Sequence, residues 1–322
     1  MTQTKTAPRR VTEQRIADRM RRRTWLFAFV AVLGLVVSGV GVLTAEDVNP
    51  VAAATIRGES VELYGEGLYR FDTVFQAANN RSTDLVTLLI GLPLLGISLR
   101  WAARGSLRGR LLLLGTLGYF LYVSTGYAMG AVAYNEMFLV YVAWFSASLF
   151  AFGLVFGSFR PLPAQFEGLP RRWPGVFMVI SGMATLAIWV MDPLTGLVEA
   201  TPPKGLDSYT TLFTHALDIG IIVPAAVIAG IMIWRRRSFG YVVAFSLLVL
   251  EALLMPVITI ATIFQLQLGM SFTPAEVIGP IVGFSLLAGS AIWVISVVLR
   301  RIPEVSSTPG NSMDKESPKA AI

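Results

Sequence analysis

Residues 239–263 read FGYVVAFSLLVLEALLMPVITIATI, and this stretch decides the fold. It carries one charged residue, Glu251, among almost entirely apolar neighbours. A helix needs about 20 predominantly apolar residues to cross the roughly 30 Å hydrocarbon core of a bilayer, so the stretch is long enough to span it. Because it lacks the alternating pattern of a barrel strand, it predicts a transmembrane helix.

The same pattern recurs along the chain. Of its 322 residues, 54% are hydrophobic and only 14% are charged, against about 25% charged in a soluble domain. The other apolar stretches are 25–43, 84–101, 111–129, 136–158, 175–192, 211–234 and 277–299. We therefore predict an all-α polytopic bundle of eight spanning helices within residues 25–300, surrounded by the lipid bilayer. Removal of the first stretch as a cleaved signal peptide would leave seven.

Basic residues are distributed unevenly between the two sides of this bundle. The gaps after the odd-numbered spans hold only Arg57, Arg70, Arg81 and Lys204, and the other basic residues lie in the tails, the remaining gaps and the adjacent helix ends. Such an excess of Lys and Arg marks the cytoplasmic side. We predict a plasma-membrane protein with both termini in the cytoplasm. It has a basic tail at 1–24, an extracytoplasmic segment at 44–83 and a disordered tail at 301–322.

The densest basic run is RIADRMRRRTW at residues 15–25. One interpretation is that this run anchors the topology of the chain. The alternative is that it is attracted to anionic lipid, at about 1 kcal/mol per basic residue near the surface. Since the basic residues lie where the topology requires them, we expect no nucleic-acid partner.

Several classes of chemistry are excluded by the side chains that the chain lacks. It has no cysteine, and its single histidine is His215. Thiolate metal sites, disulfides, bis-histidine haem and multi-histidine zinc sites therefore cannot come from one chain. The sequence also lacks the P-loop, GxSxG and HExxH motifs. We expect no catalytic residues, no metal site and no cofactor.

A few ionisable side chains lie inside apolar spans. His215 and Asp218 are three residues apart in the sixth span and share one helix face. Glu251 lies near the middle of the seventh span, where a charged carboxylate costs at least about 2.5–3.5 kcal/mol. Tyr119 and Tyr122 share a face of the third span. We predict a cavity, open to the outside between spans 2, 3, 6 and 7, that these residues line. Alternatively, these residues have structural roles only. The histidine and the neutral acids then form hydrogen bonds, and the tyrosines pack within the bundle.

The extracytoplasmic segment mixes aromatic and charged residues. We predict a helix at about 67–79 across the outer face, with Tyr64, Tyr69 and Phe71 at the membrane interface. Two closely spaced pairs flank this helix: Arg70 with Asp72, and Arg81 with Asp84. They either grip an anion, since the guanidinium fork suits carboxylates, or form salt bridges that hold the segment on the second span.

Two long runs carry a resemblance: YGEGLYRFDTVFQAANNRSTDLVTLLIGLPLL at 64–95 and GSLRGRLLLLGTLGYFLYVSTGYAMGAVAYNEMFLVYVAWFSASLFAF at 105–152. Together with HALDIGIIVP they resemble a group of polytopic membrane proteins of bacteria and archaea that has no established activity. The resemblance covers about residues 60–235. It implies a helical membrane fold, and that residues 64–84, Tyr134, Asn135 and Asp218 belong to one pattern.

Three functions follow as expectations. The first is a carrier or channel-like protein for a small solute or ion, with proton coupling through Asp218 and Glu251. The alternative is a sensor or assembly protein that binds a ligand or partner through residues 59–84. A membrane enzyme with His215 as base and Asp218 as its orienter ranks last, because no nucleophile or metal cluster accompanies them.

Overall fold

The computed structural model describes residues 18, 21–44, 48–159, 166 and 168–302. Within them, eight helices are long and apolar enough to span a membrane, which confirms the predicted eight-helix bundle and indicates a multi-pass membrane protein. The helices are α1 (Thr24–Leu43), α2 (Val74–Ala103), α3 (Leu107–Met129), α4 (Phe138–Gly157), α5 (Arg172–Glu199), α6 (Phe213–Trp234), α7 (Phe239–Gln267) and α8 (Pro274–Arg301). The tail from residue 303 and most of the basic tail lie outside the described residues.

The segment before α2 differs from its prediction. Strands β1 (Val51–Ala54) and β2 (Ser60–Leu63) pair antiparallel, with Val51 opposite Leu63, so the chain is not entirely α-helical. The predicted start of the helix at about 67–79 is also wrong, because residues 64–73 are not helical. The helix begins at Val74, where the Thr73 hydroxyl accepts a hydrogen bond from the Gln76 amide (3.3 Å). It then continues directly into the second span.

The two ends of the bundle have different character. We call the end formed by residues 48–73, 130–137, 200–212 and 268–273 the hairpin end. The opposite end, which carries Arg104 and residues 235–237, we call the basic end. The predicted N-in, C-in topology would place the basic end in the cytoplasm, and this assignment stays a prediction.

The helices pack closely around α3 and towards the basic end. A Cβ atom on Gly115 would lie 2.4 Å from the Phe245 carbonyl oxygen, and one on Gly118 would lie 2.4 Å from the Ser246 carbonyl oxygen. The backbones of α3 and α7 are therefore in direct contact. Gly175 of α5 and Gly230 of α6 also bring those two helices close together near the basic end, where a Cβ on Gly230 would lie 2.6 Å from the Gly175 carbonyl oxygen. Small residues permit such close helix approach in membranes.

Two of the spanning helices contain an irregular turn. Residues Thr87–Gly91 of α2 and Asp218–Ile222 of α6 form π-helical turns. Each lies just before a proline, Pro93 or Pro224, whose ring nitrogen cannot donate to the helical ladder. Turns of this kind are frequent at functional sites, and the second one begins at an ionisable residue.

Candidate functional site

A cavity of about 590 Å³ lies among helices α2, α3, α5, α6, α7 and α8. Its volume is in the range of about 300–1,000 Å³ that small-molecule sites occupy. The lining runs from Gly130, Thr211 and Gln265 at the hairpin end to Glu251. At a rise of 1.5 Å per residue, Glu251 lies roughly 21 Å along α7 from Gln265. The cavity thus reaches from the hairpin end to the middle of the bundle.

Five of the nine predicted site residues line this cavity: Tyr119, Tyr122, His215, Asp218 and Glu251. The Tyr119 hydroxyl lies 2.8 Å from the Thr87 hydroxyl of α2, so it also ties two helices together. That any of the five binds a ligand stays a prediction. The cavity is wider than expected, since α5 and α8 also contribute to its wall.

Asp218 begins the π-turn of α6 and is only 6% exposed. Its carboxyl group accepts hydrogen bonds from the side chains of Tyr122 on α3 and Trp189 on α5. Both donors are neutral. The carboxyl group therefore has hydrogen bonds from two helices and no cationic side chain beside it among the described residues.

Glu251 lies on α7, deeper in the bundle than Asp218. Its carboxyl group is hydrogen-bonded to the hydroxyl of Ser181 on α5, which also lines the cavity. The two carboxyl groups thus belong to different helices and face one shared space.

His215 is placed differently from its prediction. Its Nε2 atom lies 3.8 Å from Oδ2 of Asp192, and its ring packs edge-on against Trp189 with centroids 4.5 Å apart. The acid that His215 contacts is therefore Asp192, because Asp218 is directed to Tyr122 and Trp189 instead. Asp192 Oδ2 also accepts from the Gly205 amide (3.0 Å), so this pair lies at the mouth of the cavity.

The lining has a consistent chemical character. Among its described side chains there is no lysine or arginine, while two carboxyl groups and one imidazole are present. Amides of Gln76, Asn79, Asn80 and Gln265 supply neutral polar groups nearer the hairpin end. Aromatic rings and aliphatic side chains make up most of the rest. Such a wall is suited to a neutral or positively charged solute and disfavours an anion.

The two Arg–Asp salt bridges expected around the segment before α2 do not form. Arg70 bonds Glu136 through both terminal nitrogens, with Nη1 at 3.3 Å. Arg81 donates to the Tyr64 hydroxyl at 2.6 Å and lies over the ring of Phe264 at 5.0 Å. Residues brought together by the fold have replaced the sequence neighbours as partners. Neither arginine lines the cavity, so these side chains do not form one anion-gripping site with it.

The acids of those pairs are buried elsewhere. Asp72 Oδ1 accepts from the Ala133 amide at 2.8 Å and from the Tyr209 hydroxyl. Burial raises the pKa of Asp72 to about 7, and these two hydrogen bonds oppose the shift. Asp84 accepts from the hydroxyls of Tyr69 and Tyr127. Neither acid lines the cavity.

The tyrosines of the segment are also placed differently from their prediction. We expected Tyr64 and Tyr69 at the membrane interface, but they are 1% and 2% exposed, because their hydroxyls bond Arg81 and Asp84. Phe71 is the one of the three that is exposed.

The segment before α2 is fastened to the loop that precedes α6. Arg57 donates to the carbonyl oxygens of Asp207 and Tyr209, the latter at 3.1 Å. The Thr73 hydroxyl donates to Asp207 Oδ2 at 3.2 Å. Because Tyr209 also lines the cavity, these contacts fix one side of its mouth.

Sequence reasoning missed the contribution of α5. Ser181, Thr185 and Trp189 all line the cavity, and their spacing of four places them on one helix face. A hydroxyl, a second hydroxyl and an indole at this spacing in an apolar span were a detectable signal. The partners Asp192 and Tyr209 carried no local signal, because only the fold brings them to the cavity.

No protein-family model, curated protein or solved structure matches this chain. The function therefore has to be inferred from the cavity and its side chains.

Proposed function

We propose that this protein is a membrane carrier that binds a small solute or ion in the cavity and moves it across the bilayer. Asp218 and Glu251 are the groups that bind the solute or couple its movement to protons. The single observation that carries the proposal is that these two carboxyl groups, from α6 and α7, line one cavity.

The energetics of the bilayer support this assignment. A charged carboxylate at the centre of a spanning helix costs at least about 2.5–3.5 kcal/mol, and such residues usually face a polar pathway. Carrier sites lie near the midplane and are commonly formed by interrupted helices. Asp218 begins such an interruption, the π-turn of α6.

Towards the basic end, no described residue of α5 or α7 lines the cavity beyond Met178 and Leu247. There α5 and α6 approach closely at Gly175 and Gly230, and α3 meets α7 at Gly115 and Gly118. We assign the hairpin end to the outside, in agreement with the distribution of basic residues. In this proposal the cavity faces outward, and transport requires a second state in which these helix contacts separate.

The absence of cysteine from the chain permits a direct test. A single cysteine at Thr185, on the cavity wall, is treated with a membrane-impermeant methanethiosulfonate reagent from each face of oriented vesicles. A carrier alternates between two states, so we expect Thr185→Cys to react from both faces. The control is Ser124→Cys, since Ser124 is fully buried outside the lining and should react from neither face.

Reaction of Thr185→Cys from the hairpin face alone would overturn the carrier proposal. It would instead favour a sensor or assembly protein that acts through residues 59–84. One observation favours this second function: the segment is folded onto the loops at the hairpin end and leaves Phe71 exposed. Loss of a bound partner on Phe71→Ser, with the melting temperature unchanged, would then support it.

A further inference from the structure

We propose that the solute of this cavity is a lipophilic organic cation, an amine or quaternary ammonium that carries aromatic or alkyl groups. This inference rests on the proposed function in one respect, since it takes the cavity to be the solute site. It goes beyond it in naming the chemical class of the solute.

The charge of the cavity is the first argument. Asp218 and Glu251 are its two carboxyl groups, and their hydrogen-bond donors are the neutral side chains of Tyr122, Trp189 and Ser181. No described lysine or arginine side chain shares the lining. A carboxylate within the bilayer is stabilised by an opposite charge, and a cationic solute supplies the charge that the lining lacks.

The size and the walls of the cavity are the second argument. A volume of about 590 Å³ is far larger than a bare metal ion needs, and it suits an organic molecule. The lining includes the rings of Tyr119, Tyr122, Trp189 and Phe284, of which Tyr122 and Trp189 lie against the Asp218 carboxyl group. The faces of aromatic rings attract cations, and most strongly where water is excluded. Carboxyl groups among aromatic rings are thus suited to an ammonium group with apolar substituents.

The third argument is that the cavity has a lateral opening. Helix α8 packs along α7 and touches α5 only slightly, where Trp173 and Trp293 lie with ring centroids 3.9 Å apart towards the basic end. Nearer the hairpin end, Ile188 of α5 and Pro280 of α8 both line the cavity. Both are nevertheless exposed, Ile188 at 55%. The cavity therefore opens sideways between α5 and α8 at the level of the bilayer, which gives access to solutes dissolved in lipid.

The experiment uses the full chain in lipid nanodiscs and two probes of similar size and shape but opposite charge, tetraphenylphosphonium and tetraphenylborate. Binding is measured by equilibrium dialysis, with empty nanodiscs to subtract partition into lipid. We expect saturable binding of tetraphenylphosphonium at one site per chain and no saturable binding of tetraphenylborate. A third probe, tetramethylammonium, keeps the charge and removes the apolar groups, and it should bind at least tenfold more weakly.

The variants locate the site. Asp218→Asn combined with Glu251→Gln should weaken tetraphenylphosphonium binding tenfold or more. Glu62→Gln is the matched control, because this acid is exposed on β2 and lies outside the cavity, and it should leave binding unchanged. The melting temperature of each variant shows that a loss of binding is not a loss of folding.

Equal binding of the cation and the anion, or cation binding that survives the double substitution in a folded variant, would overturn the inference. Equal binding of tetramethylammonium would reject its lipophilic part. These failures differ from failure of the carrier proposal. Saturable cation binding with a cavity cysteine that reacts from one face only would leave the ligand class intact and reject transport.

Discussion

Asp84 and Asp218 are both carboxyl groups inside the helical bundle, and their surroundings differ in the space beside them. Asp84 is fully buried, and both of its oxygens accept from tyrosine hydroxyls, Oδ2 from Tyr69 and Oδ1 from Tyr127 at 3.0 Å. Helix α1 closes the remaining side, because a Cβ on Gly41 would lie 1.9 Å from Asp84 Oδ2. No solute fits against this carboxyl group.

Asp218 is almost as well buried, yet it faces the cavity. Its donors, Tyr122 and Trp189, also line that cavity, so the whole group is next to open space. An ionisable residue in a membrane domain therefore does not by itself mark a ligand site. Asp84 joins α1, α2, α3 and the segment before α2, whereas Asp218 faces space that a solute can enter.

The largest expected effect tests how tightly the Asp84 cluster is closed. Gly41→Ala places a methyl group where Asp84 Oδ2 lies, with the Tyr69 hydroxyl 2.8 Å away. We expect this substitution to lower the free energy of unfolding by about 3 kcal/mol, at the upper end of the cost of overpacking. Thermal unfolding in detergent micelles measures it.

Gly39→Ala on the same helix is the control. A Cβ there meets nothing within 4 Å, and alanine has the better helix propensity by about 0.5–1 kcal/mol, so this variant should be unchanged or slightly more stable. Equal melting temperatures for the two variants would mean that the space around Asp84 is open after all.

The next effect compares the two acids directly. Asp84→Ala leaves the Tyr69 hydroxyl without its acceptor in a closed site, and a buried unsatisfied group costs about 1–3 kcal/mol. We expect a loss of about 2 kcal/mol. Asp218→Ala should cost well under half as much, because water in the cavity can accept from Tyr122 and Trp189. The same unfolding measurement checks both, and a larger loss for Asp218→Ala would reverse the assignment of roles.

Asp72 is an intermediate case outside the spanning helices. It is fully buried, one oxygen is bonded, and among the described residues no group bonds Oδ2. Burial raises its pKa to about 7 from the ordinary 3.8, so the folded state binds the proton more tightly than the unfolded state. The protonated Asp72 carboxyl group therefore contributes to the stability of the folded state. This contribution is fully present below about pH 4 and is lost as the pH rises through 7.

Between pH 6 and pH 8 this shift is expected to weaken the attachment of the cavity mouth by about 1.4 kcal/mol, or tenfold in the opening equilibrium. Hydrogen-exchange protection factors of the Ala133 and Tyr209 amides measure it. Asp72→Asn should flatten the pH dependence. Burial raises the pKa of nearby Asp207 too, and its titration acts in the same direction. A wild-type protein with no pH dependence in this range would reject the effect.

Features that depend only on neighbouring residues were predictable from the sequence. Features that depend on contacts between distant residues were not. The eight spans were predictable because each needs only a long apolar stretch, and Asp218 and Glu251 stood out because charges in such stretches are rare. The β-hairpin was not predicted, since its strands carry only weak alternation. The closed state of Asp84 was not predictable either, because Gly41 and Tyr127 reach it from two other helices.

The two arginines show the same limit. A spacing of two or three residues suggested Asp72 and Asp84 as partners, but Arg70 bonds Glu136 and Arg81 contacts Phe264. Long side chains have many possible partners, and the sequence does not order them by distance in the fold. Tyr209 and Asp192 were missed for a similar reason, since each acquires its role only when a loop meets another helix end.

The smallest expected effect concerns the same two arginines, because Arg81 has a buried partner and Arg70 has an exposed one. Arg81 donates to the buried Tyr64 hydroxyl and lies over an aromatic ring, so Arg81→Ala should lower the free energy of unfolding by about 1 kcal/mol. Arg70 bonds Glu136 in an exposed pair, and exposed ion pairs commonly contribute nothing measurable. Arg70→Ala should therefore leave the melting temperature unchanged. A loss from Arg70→Ala that equals the loss from Arg81→Ala, and that high salt removes, would show that the Arg70–Glu136 pair holds the segment in place.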